Sequence, residues 1–423
     1  MRMPSTPSFA AALASAVLLA GAAQADVAPG DRITAANVEK LQGLISPGME
    51  WVVKRGFPIT IGEAKRIEWP RAYKEATEKY ASQVKLTADG NDLKNYVAGL
   101  PFPNLDPNDP QYAYKIMWNL NYNATPNGTD DQDLRNFDAD TGTIPEAGVM
   151  SVERHFLLDH YRRLFWTGRL YVEPMPEKPN PNGYRVQQGL YPILEPFDLK
   201  GVGSLGNRYI DSSKQDDSWL YLPSLRRVRR LSTAQRSDAL FGQDTDVDSY
   251  NGYAGQIAWM DWKFLGEKEM IACFHAQHYP AKWNDKIDWA FDDIWEKRRL
   301  YVVEGVSKLP QYAYSKRVLF IDKEALVIPY SDIYDRSGEL WKVWINAYSF
   351  RKSVPGTNAI QYEDEQGFAP AIVMADLQLE HATKASLPSP RFPGEQGWYF
   401  NQGEKAGITD DWFTVAALVA AGH

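Results

Sequence analysis

Four arginines within five positions, Arg226, Arg227, Arg229 and Arg230, form a dense cationic set. They follow an aromatic-aliphatic run, Trp219-Leu-Tyr-Leu222, and a turn at Pro223. Guanidinium forks match carboxylate and phosphate oxygens, so the set could meet an anionic headgroup or an acidic partner surface. A solvated edge strand kept from aggregating by charge, or one salt-bridged to nearby Asp, accounts for it equally well. The run Asp244–Asp248 offers oxygen ligands at alternate positions, as a hard cation needs. The calcium-loop pattern fails at Ser249 and Gly255, so a place at a helix N-terminus is the better reading. His275 and His278 stand near a zinc spacing, but no cysteine pair, acidic partner or HExxH supports them. Gly201–Gly206 matches G-x-G-x-x-G without a buried strand before it or a helix after it, a chance match. Adjacent acids such as Asp216 and Asp217 would point to opposite faces of a strand and make poor acid–base pairs. No catalytic residue, metal or cofactor is assigned.

These residues sit in a chain that reads as exported. Arg2, the apolar stretch Phe9–Ala23 and the A-x-A site ending at Ala25 predict a cleavable signal peptide over residues 1–25. A retained anchor is the alternative, but the apolar run is short and poor in large residues for a span. Asp26, not cysteine, follows the cut, so the expectation is a periplasmic protein of a Gram-negative envelope that is not a lipoprotein. The formal net charge of −8 disfavours nucleic acid, which needs a cationic face. With one cysteine, Cys273, no internal disulfide forms, and its apolar neighbours mark it as buried and inert. The 14 Trp, 23 Tyr and 17 Phe are spread along the chain. They suit either a β-rich core or ligand surfaces with one wet edge.

The positioning elements follow from periodicity. Thr34 caps a helix to Leu44, and a second helix covers Pro70–Val84. Tyr112–Tyr122 alternates and predicts a strand. Ser151–Trp166 has helical spacing, with a strand as the alternative. Val318–Ile321 and Ala325–Ile328 predict a hairpin about Asp322–Glu324. Leu340–Phe350 and Ala371–Leu379 predict strands, the former aromatic on both sides, and Asp410–Ala421 a short terminal helix docked on the sheet. The sum is one α+β domain over 26–423, helical over about 26–100. A large curved antiparallel sheet has helices packed on one side.

The stretch Trp219–Leu231 resembles the hairpin of outer-membrane lipoprotein-sorting proteins, the LolA/LolB and LppX superfamily. More narrowly, Ala98–Asn104, Lys115–Asn119, Asp246–Gly252 and the Trp412-Phe413 helix are similar to a proteobacterial family of unknown function within that group. The resemblance implies a half-open β-barrel around a hydrophobic cavity. It further implies a non-enzymatic periplasmic carrier of a lipid or other amphipathic molecule, accessory to RND-type export. Long Pro/Asn-rich loops depart from LolA, and the missing lipidation cysteine departs from LolB. The expected ligand-binding residues are Trp118, Trp219, Tyr221 and Trp344 in the wall, with Arg226, Arg227, Arg229 and Arg230 at the rim. The expected partners are a lipid-like ligand and an envelope transporter or outer-membrane protein. The alternative is an adaptor of an envelope transport complex that binds no small ligand.

Overall fold

The computed structural model describes residues 27–422 apart from 147, 233–234, 354–359 and 393–396. The signal peptide expected over residues 1–25 lies outside the described residues. The N-terminal part supplies β1 (Arg32–Ile33), α1 (Pro47–Lys54), β2 (Ile59–Ile61), α2 (Arg71–Tyr80), the small hairpin β3 (Lys85–Leu86) and β4 (Leu93–Lys94), and α3 (Tyr112–Asn121). Then come β5 (Asp131–Thr143), β6 (Ser151–Phe165), β7 (Tyr184–Leu190), β8 (Ile193–Glu195), β9 (Gly203–Tyr209), β10 (Asp217–Leu222) and β11 (Arg227–Arg230). The remainder is β12 (Met260–Ala272), β13 (Ile294–Ser307), β14 (Lys316–Asp322), β15 (Tyr330–Tyr334), β16 (Leu340–Ser353), β17 (Gln361–Asp376), β18 (His381–Ser386), β19 (Gly397–Phe400) and α4 (Val415–Ala421).

All but β3 and β4 join one sheet. Its antiparallel path runs β11–β10–β9–β7–β6–β5–β18–β17–β16–β15–β14–β13–β12. β19 continues along the edge of β5 beyond β18, and β2 adds a short parallel pairing at the start of β13. The end strands β11 and β12 are not paired with each other among the described residues. Yet side chains of β10 and β16 line one cavity. Seven steps of a flat sheet would hold those strands roughly 34 Å apart. The sheet is therefore curled into a half-open barrel.

Strand parity separates its two faces. Trp344 and Tyr348 of β16 face the concave side, so Val343 faces outward, where α1 packs. Ser46 caps α1, Pro47 opens it, and Met49, Val52 and Val53 form its buried stripe. A Cβ on Gly48 would lie 2.4 Å from Asp332 Oδ1 and 2.8 Å from Val343 Cβ, so glycine permits the close approach. At the other end of the sheet, α4 buries Leu418 against Tyr191, Leu205 and Tyr221. Cys273 is buried, and burial raises its thiol pKa.

Several elements differ from the sequence reading. Tyr112–Tyr122 is not a strand: Tyr112–Asn121 is helix α3. Its buried positions Tyr112, Ala113, Ile116, Met117 and Leu120 carry a helical stripe as well as the alternation. Ser151–Phe165 is strand β6, not a helix. It is packed on both faces at Phe156, Leu157 and Leu158, and Leu158 and Tyr161, of opposite parity, both face the cavity. That inversion erased the two-residue period. Ala325–Ile328 forms no strand; Phe320 pairs instead with Tyr330, so the turn is longer than expected. Leu377 and Leu379 fall beyond β17, and Leu379 is exposed. The helix expected after Thr34 is a 3₁₀ segment, Ala35–Leu41.

Asp332 is fully buried beneath α1, accepting hydrogen bonds from Ser46 Oγ (2.8 Å) and the Gly48 amide (3.2 Å). Burial pushes its carboxyl up to about 7, against those two donors. The folded chain therefore holds a proton that the unfolded chain has released between about pH 4 and 7, and stability falls as pH rises through that window. Chemical denaturation from pH 5 to 8 should show wild type losing stability relative to Asp332→Asn as pH increases. A pH-independent difference contradicts the assignment.

Candidate ligand-binding cavity

The concave face encloses a cavity of about 560 Å³, within the roughly 300–1,000 Å³ of small-molecule sites. Leu134 and Phe137 of β5, Phe156 and Leu158 of β6, Ile372 of β17 and Ala385 of β18 make its apolar wall. The opposite side is roofed by Met117 and Leu120 of α3 and by residues 235–257, which bring Leu240, Phe241 and Val247. Trp344 lies fully buried in the wall. Its indole N–H donates to Asn346 Oδ1 at 2.8 Å, and the Tyr250 ring meets it edge-on at 5.9 Å.

The roof is fastened by the acidic run. Asp244 accepts from Thr383 Oγ1 and contacts His381 Nδ1, each at 2.9 Å, while Lys342 Nζ donates to its carbonyl at 3.0 Å. Asp246 accepts from Tyr314 Oη at 2.7 Å and pairs with Arg317 at 3.5 Å. Asp248 pairs with Arg236 at 2.6 Å and accepts from Tyr312 Oη at 3.0 Å. Burial works against the Arg317 and Arg236 charges, but Tyr312 and Asp246 around the first, and Asp248 and Asp216 around the second, hold their pKa values above normal. These acids neither cap a helix nor form a metal site; they are counter-ions. Among the described residues no cluster of three or more His, Cys, Asp or Glu could hold a metal. His275 and His278 contact Glu296 (2.8 Å) and Asp293 (3.2 Å).

The residues singled out from sequence are not gathered in one place. Trp344 lines the cavity, whereas Trp118 is buried within α3 and donates from Nε1 to the Gly90 carbonyl at 3.0 Å. Trp219 and Tyr221 face outward and pack with α4; their neighbours Ser218 and Leu220 face the cavity. Arg226 sits in the turn with φ 47°. Arg229 and Arg227 lie opposite Leu220 and Leu222, and so share the concave face at the sheet's exposed free edge. Arg230 pairs with Asp217 on the other face. Asp216 turns inward to Arg208 at 2.7 Å, so the two adjacent acids do point apart. Phe156 and Leu158 are hidden in the sequence because β6 has helical spacing, and Phe137 because the polar, Asn/Asp/Gly-rich stretch that forms β5 reads as a loop. The Arg162-Arg163 doublet was the available signal for an inward charge, but only the register tells which of the two turns in.

The architecture is a half-open antiparallel barrel around an apolar-walled cavity. The chain belongs to the DUF1329 family: the model described as "Protein of unknown function (DUF1329)" matches residues 32–418. The uncharacterized protein PA3922 of Pseudomonas aeruginosa is 25% identical over 330 residues, covering 74% of this chain and 67% of that protein. An outer membrane lipoprotein-sorting protein domain from Vibrio parahaemolyticus is similar at 18% identity, covering 68% of this chain and 91% of its own, with a TM-score of 0.45. A DUF1329 family protein from Desulfovibrio piger follows at 15%, 69%, 92% and 0.44. The LolA superfamily protein NE2245 from Nitrosomonas europaea gives 15%, 68%, 92% and 0.36. At these scores the solved structures carry no argument of their own, and the fold rests on this chain's own strand pairing. Among the described residues no helix is long and apolar enough to cross a membrane.

Removing one partner of a buried pair leaves an uncompensated charge and costs about 3–5 kcal/mol. Asp246→Ala strands Arg317, which is wholly buried, and should lower unfolding stability by about that amount in a urea titration. A loss below about 1 kcal/mol, the scale of a surface pair, would show that the roof does not depend on this contact.

Proposed function

We propose that this protein is a non-enzymatic periplasmic carrier for a lipid or other hydrophobic or amphipathic molecule, held in the cavity of the half-open barrel. The observation that supports the reading is the size and lining of that cavity: about 560 Å³ walled by Leu134, Phe137, Phe156, Leu158, Ile372 and Ala385. Space walled this way favours an apolar guest, because burying each methylene contributes ~0.8 kcal/mol before ordering costs. A periplasmic location for the carrier is proposed on the signal peptide read from the sequence over residues 1–25, with a single domain from residue 26. A role beside an RND-type exporter is proposed on the family resemblance alone. Displacement of a fluorescent fatty acid should report binding to wild type. Ala385→Phe, which pushes a ring into the cavity, should weaken it about tenfold or more, since each methylene kept out forfeits ~0.8 kcal/mol. Absence of probe binding to wild type, or unchanged binding to a folded Ala385→Phe protein, overturns the carrier.

One observation favours the adaptor as a second reading. Arg226, Arg227 and Arg229 are exposed, and no carboxylate among the described residues pairs with them. Arg227→Glu with Arg229→Glu should abolish copurification with an envelope transporter and leave probe binding intact. Loss of probe binding with copurification retained would remove the adaptor.

A further inference from the structure

Among the described residues, two cations in the cavity wall have no counter-charge. Arg163 of β6 faces inward with Tyr161 and, across the ladder, Gln188 of β7. Arg185 would face outward by alternation with Val186. However, the β7–β9 register slips between Tyr184 and Val186, which makes Arg185 the extra residue of a β-bulge. Bulges re-aim side chains, and Arg185 lines the same cavity at 7% exposure.

Both guanidiniums are held by neutral groups. Arg163 Nη1 donates to Asn127 Oδ1 at 3.0 Å and lies 4.7 Å over the Phe165 ring. Arg185 Nη2 donates to the Asn121 carbonyl at 2.6 Å and lies 4.4 Å over the Tyr122 ring. The Nε of each is buried without a partner. The adjacent Asp216 is already shared by Arg208 and Arg236, and among the described residues no carboxylate is within ion-pair distance of Arg163 or Arg185. Burial depresses the pKa of both; Arg185 and Arg208 depress Arg163 further, and Arg208 depresses Arg185. Arginine does not deprotonate in proteins, so the strain stays as unbalanced positive charge that an anion would relieve. The apolar wall lies at a distance: Phe156 and Arg163 are seven residues apart on one strand, roughly 23 Å.

We propose that Arg163 and Arg185 form an anion subsite, and that the ligand is an amphiphile whose alkyl chain lies on the Phe137–Phe156 side while its carboxylate or phosphate head meets the two guanidiniums. This rests on the carrier reading. The test compares hexadecanoate, hexadecyl phosphate, hexadecanol and inorganic phosphate by displacement of a fluorescent hydrocarbon probe and by calorimetry. Wild type should bind the two anionic amphiphiles about tenfold or more tighter than hexadecanol, the worth of a charged hydrogen bond. Arg185→Gln and Arg163→Gln should each erase that preference by weakening the two anionic amphiphiles to the level of hexadecanol, while Arg185→Lys should keep part of it. Equal wild-type affinity for hexadecanoate, hexadecyl phosphate and hexadecanol overturns the subsite and leaves the carrier standing. Inorganic phosphate binding as tightly as hexadecyl phosphate overturns the amphiphile in favour of a free-anion site. Failure of every chain to bind overturns both.

Discussion

An apolar cavity is under constant pressure to collapse, because its lining gains contacts and sheds water by closing. What holds this one open is the fastening of residues 235–257 across the concave face. Asp244, Asp246 and Asp248 stand at alternate positions, and each reaches a different basic or hydroxyl partner on the sheet or its connections, His381, Arg317 and Tyr312 in turn. Long antiparallel strands supply the frame on the other side. Their spacing suits a segment that must meet several strands in turn.

The two faces of the sheet divide the work. The outer face receives α1, brought close by Gly48, and α4, seated on Tyr191, Leu205 and Tyr221. The concave face keeps the free volume. Aromatics occupy both, which explains why their abundance alone did not locate the cavity. Trp219 and Trp344 look alike in sequence, yet one packs a helix outside and the other walls the interior.

Much of the fold was legible where one period dominated. The arginine hairpin, the strand through Trp344 and the terminal helix follow directly from alternation, Pro223 and a short apolar run. The site was less legible, for two physical reasons. In β6 the inward parity changes between Leu158 and Tyr161, so no fixed period describes it. In β7 the bulge turns inward the charge of Arg185, which alternation would put outside. Neither feature has a local sequence signature, since both depend on neighbouring strands. In α3, strand and helix periods coincide on the same residues, and the tertiary context decided between them.

The central claim is that the hollow of this barrel is occupied by a guest in the cell. Native mass spectrometry of the protein purified from a Gram-negative envelope tests it most directly. A bound amphiphile that survives gentle ionisation, leaves on unfolding and yields an acidic headgroup on fragmentation is the predicted result. A spectrum of bare protein alone, even after exposure to total envelope lipid, would contradict it.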